Sequence, residues 1–474
     1  MQRQLCRSLK MLHSCTVSPS QPTAAREHAS LRAAHDARAL PPHQATRESK
    51  ISRAMYATAS SSCDATTSLE RLRFSRRATN PHSGVTTAPH RRPTTRADAV
   101  GSKHVYPEDY LDLGPRIRTQ VLDDDAFDAA QFDFVCDARA PSEYDDDHVP
   151  GAVSTPVLND AQRKEVGTLY KQVDPFEAKK VGAAMVAANL GKIIDERFLT
   201  APRDTKILVY CWRGGERSLS LAHVLSRIGF DVYFAPGGYK RYRAGVLEFL
   251  RGMDKFRYHV IAGKTGCAKG KLLDALEAAG AQVIDLEVMA NHRGSILGEE
   301  PGAREQPSQK MFDSRIAFKA RTFDASRPVF VEGESSMIGK VQVPSTMWSG
   351  MRIADITQLE IPMSERVKWI RAGYKHFETT ETGRLLECID VLVKRVGHER
   401  VSAWKTLVAD GQWDEFVQDI LENHYDAAYA AAAARSRPQE EEKAQVLFLD
   451  DTSDETYAKA AKELLRRYDP SAEA

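Results

Sequence analysis

The sequence predicts two α/β domains in tandem behind a disordered N-terminal arm. Three observations carry this expectation. Twice along the chain an apolar run of strand length ends in a short glycine-bearing loop and passes into residues with apolar spacing of helical period, once around Cys211 and once around Gly263. The chain has 474 residues, room for two or three domains of ordinary size. Its first hundred residues carry 16 Lys and Arg against 6 Asp and Glu, are rich in Ser, Thr and Ala, and show no sustained apolar period.

Bulk composition narrows the function classes. At 42% hydrophobic and 28% charged, the chain reads as soluble globular protein. Lys and Arg total 66 against 65 Asp and Glu, so residues 101–474 keep 50 basic and 59 acidic residues and a net charge of −9. A protein that coats nucleic acid by overall basicity is thereby excluded. No apolar run approaches the length of a membrane helix, so no membrane partner is expected. Seven scattered cysteines make no disulfide framework, and without a C-x-x-C pair or an H-E-x-x-H helix no metal site is expected. The expectation is a soluble intracellular protein.

Residues 1–105, rich in Arg and Ser and poor in acids, have the composition of a transit peptide for a mitochondrion or plastid. Two other readings stay open: a disordered tail with no address, or an upstream extension with Met55 as the true start of a cytoplasmic protein. In each the segment buries too little apolar surface to offset chain entropy.

The first domain is expected over residues 118–252. Phe132–Asp137 reads as a buried strand that runs into Asp137, Arg139 and Glu143, and His148-Val-Pro-Gly-Ala152 as a turn. Lys206–Tyr210 is a second strand with Cys211 at its end. The loop Trp212, Arg213, Gly214, Gly215, Glu216 and Arg217 follows, then a helix with Leu221, Val224, Leu225 and Ile228 on one face, stopped by Gly229. A cysteine at a strand end facing a helix N-terminus meets loop N–H groups, the helix dipole and two arginines. All three favour the thiolate, and so a nucleophile or a persulfide carrier. The plain alternative is a buried core cysteine; the two arginines and two glycines tell against it at Cys211, whereas Cys136, inside an apolar strand, fits it.

The second domain is expected over residues 255–430. Tyr258–Ala262 is a strand, and Gly263-Lys-Thr265-Gly266-Cys-Ala-Lys269-Gly-Lys271 leads into a helix with Leu272, Leu273 and Leu276, ending at Gly280. Strand, glycine loop and helix make the context of a phosphate-binding loop, with Gly263, Thr265, Gly266 and Lys269 as the binding residues. The match to G-x-x-x-x-G-K-[ST] is incomplete: Ala268 replaces the second glycine and Gly270 the hydroxyl residue that would hold magnesium. Reading Gly270-Lys271 as the G-K pair loses the first glycine, and a turn without a ligand is the plain alternative. Glu332 and Glu334, after the strand Val329–Val331, stand where such proteins keep an acidic residue. Asn291-His-Arg-Gly-Ser295 and Gln306-Pro-Ser-Gln-Lys310 read as a binding loop or as ordinary surface. Residues 431–474 read as a mobile spacer and a short helix over Tyr457–Arg467. Between the domains, Lys240, Arg241, Arg243, Arg251, Lys255 and Arg257 interleave with Tyr239, Tyr242, Phe249, Phe256 and Tyr258. That pattern fits an RNA surface or a linker helix with one charged and one apolar face.

These motifs carry a resemblance. Asp137-x-Arg139, Glu143, His148-Val-Pro-Gly-Ala, the Cys211–Arg217 loop and Gly237-Gly-Tyr239 resemble a rhodanese-like α/β domain, whose loop cysteine carries sulfur as a persulfide. Cys211-Trp-Arg-Gly-Gly-x-Arg-Ser and Glu165-Val-Gly-Thr-Leu-Tyr-Lys-Gln172 resemble the tRNA 2-selenouridine synthases in particular. So do Asp285-Leu-Glu, Asn291 to Ser295, Gln306 to Lys310, Glu332-Gly-Glu-Ser-Ser and Ile338-Gly339, followed by Ile361-Pro362, Lys394-Arg-Val-Gly397 and Tyr425-Asp-Ala-Ala-Tyr429. The resemblance spans residues 118–435 and implies a rhodanese-like domain followed by a P-loop NTPase-like α/β domain. It implies an enzyme that exchanges the sulfur of wobble 2-thiouridine in tRNA for selenium from selenophosphate, through an intermediate made with geranyl diphosphate. Cys211 would be catalytic and carry selenium as a perselenide, Asp137, Arg139, Glu332 and Glu334 would support, and no cofactor would stay bound. The family's phosphate loop reads Gly-Ser-Gly-Lys-Thr, so the departure here bears on magnesium-dependent hydrolysis. The alternatives are a rhodanese-type persulfide carrier in a sulfur relay and a nucleotide-binding scaffold. Turnover of 2-thiouridine tRNA separates the first from both, and the scaffold leaves the Cys211 loop unexplained.

Overall fold

The computed structural model describes residues 117–122, 128–294, 305–436 and 444–469, all within one compact unit. The expected arm, Ser295 and residues 437–443 of the expected spacer lie outside the described residues.

The first domain is a parallel sheet of β1 (Ile117–Thr119), β2 (Phe134–Asp137), β3 (Val153–Ser154), β4 (Lys206–Tyr210) and β5 (Asp231–Phe234), in the order β1-β5-β4-β2-β3. Central β4 buries Ile207, Leu208, Val209 and Tyr210 completely, which is why its sequence is a continuous apolar run rather than an alternating one. The helix Glu216–Ile228 covers one face with Leu221, Ala222 and Leu225 and stops at Gly229, whose φ of 121° lies in the left-handed region. A helical hairpin, Asp160–Gln172 and Pro175–Arg197, stands between β3 and β4; Asn159 and Asp174 cap its two helices.

The second domain has a parallel sheet of β6 (Arg257–Gly263), β7 (Gln282–Ile284), β8 (Pro328–Glu332), β11 (Asp355–Glu360) and β12 (Gln445–Phe448), ordered β12-β11-β6-β8-β7. A small hairpin, β9 (Met337–Ile338) and β10 (Val341–Gln342), follows β8. Between β11 and β12 lies a helical segment, Met363 to Ser436, with its own core of Val367, Phe377, Leu385, Ile389, Trp404 and Phe416.

The expected spacer needs correction, and the two readings of the basic and aromatic stretch are decided. The tail is structural: Leu447 of β12 sits in register with Leu359 of β11, and the helix Asp454–Tyr468 buries Tyr457, Ala461 and Leu465 in one core with Leu272, Leu273 and Leu276. Residues 431–436, read as the start of a mobile spacer, continue the helix Asp426–Ser436, because alanine is the strongest helix former whatever its low complexity suggests. Of the two readings of the basic and aromatic stretch, the linker helix with one charged and one apolar face is the one that the structure shows. In the helix Gly238–Arg251 the residues Tyr239, Tyr242, Val246 and Leu250 face inward at helical spacing, and Phe256 and Tyr258 are buried after it. Lys240, Arg241 and Arg251 face solvent, while Arg243 pairs with Asp313 at 2.6 Å. These rings belong to a core that also takes in Phe312, Ile316 and Met347, so four of the five are buried and unavailable for stacking on bases.

Candidate functional site

Cys211 follows β4 directly and is 3% exposed. Its Sγ accepts the Gly215 N–H at 3.3 Å and the Ser218 hydroxyl at 3.1 Å, so the sulfur sits in a small nest of donors at a helix N-terminus. The loop is pinned from behind. The Cys211 and Trp212 carbonyls accept the Tyr239 and Lys240 N–H groups at 2.8 and 2.9 Å. With those carbonyls held by the neighbouring helix, the loop turns the Gly215 N–H onto the sulfur. Gly238 makes this possible, since a Cβ there would fall 2.1 Å from the Cys211 carbonyl oxygen. Ser218, in the sequence only the last residue of the Cys211 motif, lies one helical turn beyond Gly215, which aims its hydroxyl back at the loop.

The two arginines differ from expectation. Arg217 gives its guanidinium to Glu143 at 2.6 Å instead of leaving it free for the sulfur. Burial alone would raise the Glu143 carboxyl, but Arg217 holds it below the usual carboxylate range. Arg213, Trp212 and Glu216 are exposed, and the Trp212 ring leans on Tyr239 at 5.4 Å. Asp137 and Arg139 form a buried two-point pair at 3.0 and 2.6 Å. Arg139 also binds the Asp147 carbonyl at 2.5 Å and lies 3.9 Å over the Tyr239 ring, so the pair positions the loop through Tyr239. Cys136 lies fully buried in β2, where burial pushes its thiol up to about 12.

In the second domain β6 ends at Gly263 and the helix Lys269–Ala278 begins six residues later. Ala268 has φ 52° and ψ 44°, so the loop keeps the left-handed turn that the missing glycine would make freely. Lys269 Nζ folds back to the Gly263 carbonyl at 3.4 Å, and the first-turn N–H groups of the helix have no intrahelical acceptor. Lys271, the rival lysine, is bound at 2.6 Å to the Thr452 carbonyl and at 2.6 Å to Asp454. The register Gly263 to Lys269 is therefore the one that forms the loop. At Gly270 a Cβ would come only to within 3.8 Å of Asp285, so a side chain fits there and its absence is a choice of sequence.

Three carboxyl groups converge on Lys269. Burial opposes its charge, but Glu334, Glu287 and Glu332 outweigh burial and raise the ammonium pKa above its usual range. Glu332, fully buried at the end of β8, accepts the Glu287 N–H at 3.1 Å through Oε2, and its Oε1 has no hydrogen-bond partner among the described residues. Burial, then Glu287 and Asp285, drive the Glu332 carboxyl well up. Burial and Glu334 push Glu287 up to about 8. Glu287, read only as part of a motif, thus joins Glu332 and Glu334 at the site.

The loop is also braced from the helical segment. Arg366, 4% exposed, donates to the Thr265 carbonyl at 2.9 Å and holds Asp426 at 3.0 and 2.5 Å. The Gly263 N–H donates to the Tyr429 hydroxyl at 2.9 Å. Arg366, Asp426 and Tyr429 lie about a hundred residues or more from the loop, so no local pattern marks them as its partners. Of the expected binding loop, Arg293 donates to the Gly373 carbonyl at 3.0 Å, and Gly294 lies against Glu334. The segment Gln306 to Lys310 is instead a brace. Gln306 ties the Ala290 and Ile338 carbonyls, and Ser308 and Lys310 reach Asp146 of the first domain.

A family model described as the tRNA 2-selenouridine synthase AAA domain matches residues 256–459, and one described as a rhodanese-like domain matches residues 121–245. The tRNA 2-selenouridine synthase of Nitrosomonas europaea is 35% identical over 246 residues, which span 50% of this chain and 62% of that protein. That of Marinobacter nauticus is 30% identical over 61% of this chain and 82% of its own length. That of Hydrogenovibrio crunogenus is 31% identical over 62% of this chain and 87% of its own. A solved N-terminal domain from Clostridium difficile 630 shares 37% identity over 24% of this chain and 88% of its own, with a TM-score of 0.23, too low to bear on the fold. With both α/β domains matched in order and most of two such relatives covered, the chain belongs to the tRNA 2-selenouridine synthase family.

Proposed function

We propose that the chain exchanges the sulfur of wobble 2-thiouridine in tRNA for selenium from selenophosphate, by way of a uridine geranylated on sulfur with geranyl diphosphate. The observation that supports this reading is the pairing, in one compact unit, of two strand–loop–helix turns of different kind: a donor nest around the Cys211 sulfur and a lysine-bearing loop at Gly263–Lys269. In the first step the uridine sulfur attacks C1 of the geranyl chain, the C1–O bond breaks and diphosphate departs with the electron pair. Loop N–H groups and Lys269 are suited to receive that charge, and the uridine N3 proton leaves to a base. In the second step selenium attacks C2 of the uridine, the C2–S bond breaks and geranyl thiolate leaves. Water then takes the phosphoryl group from selenium. Both steps are redox-neutral.

Selenophosphate delivers selenium at the selenide level, so a perselenide on Cys211 needs a two-electron oxidant. Here the exposed Arg213 meets selenophosphate at the exchange centre, and the Cys211 thiol gives its proton to the departing geranyl thiolate, leaving a thiolate held by the Gly215 N–H and the Ser218 hydroxyl, a step for which a serine hydroxyl is too weak an acid. No cofactor is required. Two separable defects test the scheme with purified protein and 2-thiouridine tRNA. Cys211→Ser should keep geranylation and lose selenium incorporation. Lys269→Ala should raise the geranyl diphosphate KM about ten- to hundredfold, the loss of one charge-assisted hydrogen bond. Protein that moves persulfide sulfur to an acceptor and leaves the tRNA unchanged would instead be a sulfur-relay carrier. No helix among the described residues is long and apolar enough to cross a membrane. The composition of residues 1–105 supports import into a mitochondrion or plastid, and a fluorescent fusion of that segment that stays in the cytosol would refute it.

A further inference from the structure

Against the phosphate loop, the helical segment opens a narrow groove with a volume of about 60 Å³. Its walls are apolar and aromatic, with Ile370, Tyr374, Trp413, Val417, Leu421 and Tyr425 among them, and Thr265 of the phosphate loop closes one side. The two charged residues on the wall are paired with each other, Arg371 with Glu378 at 2.9 Å, so neither requires a ligand of opposite charge. Groove and loop are built by the same elements. Ile370 and Arg366 pack on Gly266, and Arg366 holds the Thr265 carbonyl. The turn Leu421–Tyr425 is a π-helix, whose extra residue shifts the helical phase. Leu421 and Tyr425 line the groove, while Asp426 and Tyr429 just beyond reach the loop.

A site that joins phosphate donors to an uncharged aromatic groove fits a ligand with a diphosphate head and an extended apolar tail. We propose that the groove holds the isoprenoid chain of a prenyl diphosphate whose head lies on Gly263–Lys269. The chain is then measured by the helical segment 363–425 and not by the rhodanese-like domain. The inference rests on the preceding reading that this loop takes geranyl diphosphate.

The full-length chain tests it by calorimetric titration with four ligands: inorganic diphosphate and the dimethylallyl, geranyl and farnesyl diphosphates. Wild type should bind geranyl diphosphate at least tenfold more tightly than inorganic diphosphate, each buried methylene contributing roughly fourfold. Val417→Phe, which narrows the groove, should weaken geranyl diphosphate tenfold or more and leave inorganic diphosphate unchanged. Trp413→Ala, at a half-buried position, should move the preference from geranyl toward farnesyl diphosphate. A diazirine-bearing prenyl diphosphate should label peptides from residues 363–425, a readout that does not depend on any variant folding. Equal affinity of wild type for inorganic and geranyl diphosphate, or labelling confined to residues 118–252, would overturn the groove assignment while the phosphate loop stands. If Lys269→Ala changes the affinity of neither ligand, the reading of the loop itself fails.

Discussion

At the scale of single residues, Ala268 is the least comfortable position in the phosphate loop. An L-residue with φ 52° sets its Cβ against the following carbonyl, at a cost of roughly 1–2 kcal/mol, part of which glycine returns as entropy in the unfolded chain. Ala268→Gly should therefore raise stability by up to about 1 kcal/mol in urea unfolding without weakening diphosphate binding; a loss of stability would mean that the methyl packs usefully. His259 makes a second prediction. It lies 2% exposed in β6 and bonds Thr357 Oγ1 at 2.8 Å, and burial lowers its pKa from 6.5 to about 4. The unfolded chain then takes the proton first. Its contribution to stability is whole above about pH 6.5 and falls as pH drops toward 4, by up to about 3 kcal/mol. Glu287 has the opposite slope. Its folded pKa of about 8 exceeds the usual 4.5, so its contribution is whole below about 4.5 and is lost as pH rises through 8. The two overlap between pH 4.5 and 6.5, so the comparison needs a variant. His259→Gln keeps a hydrogen-bonding group and should lose less stability than wild type between pH 7 and 4.5. Identical losses would remove His259 from the acid sensitivity.

At the scale of elements, each site is a strand, a loop and a helix locked from outside by another element. The Cys211 loop is held by the N-terminus of the helix Gly238–Arg251, and the phosphate loop by the helices carrying Arg366 and Asp426. The Arg366–Asp426 pair is bidentate and largely shielded from water, so removing one charge leaves the other poorly compensated. Asp426→Asn should cost roughly 1–3 kcal/mol of stability and free Arg366 from its hold on Thr265. Geranyl diphosphate binding should weaken about tenfold while selenophosphate binding at the other domain is unaffected. Equal weakening of both ligands would point to general unfolding rather than to the strap. The glycines and strand ends of these units were legible because a tight turn after a buried strand admits few residue types. Arg366, Asp426 and Tyr429 were not, since a surface-spaced Arg, Asp or Tyr has the same local pattern whether or not it folds back on a distant loop.

At the scale of the whole molecule, the two domains share a core. Tyr239, Tyr242, Val246 and Leu250 of the first pack with Phe312, Ile316 and Met347 of the second. Around that core, Asp147 accepts the Tyr239 hydroxyl at 2.7 Å and the Ser314 hydroxyl at 3.1 Å. Domains fused in this way should not unfold separately. Calorimetry of the full chain should give one transition for both domains, and a fragment of residues 117–252, with the apolar side of its last helix uncovered, should aggregate or be markedly less stable. Two resolved transitions, or a fragment as stable as the whole, would show that the shared core contributes little.

The sequence by itself determined the two α/β units, the position of Cys211 at a strand end, the register-defining glycines and the family, because strand runs, helical spacing and turn residues are local signals. It also determined the defect in the phosphate loop, since Ala268 and Gly270 are plain substitutions in a short motif. Only the tertiary structure showed Lys271 held by the Thr452 carbonyl and the Asp454 carboxylate while Lys269 folds back on the loop. Tertiary packing likewise placed Arg217 on Glu143, gathered Glu287, Glu332 and Glu334 around Lys269, and set the apolar face of the linker helix into an interdomain core. Those outcomes depend on which residues far apart in the chain come to touch, and an amphipathic pattern says that a face is buried without saying against what.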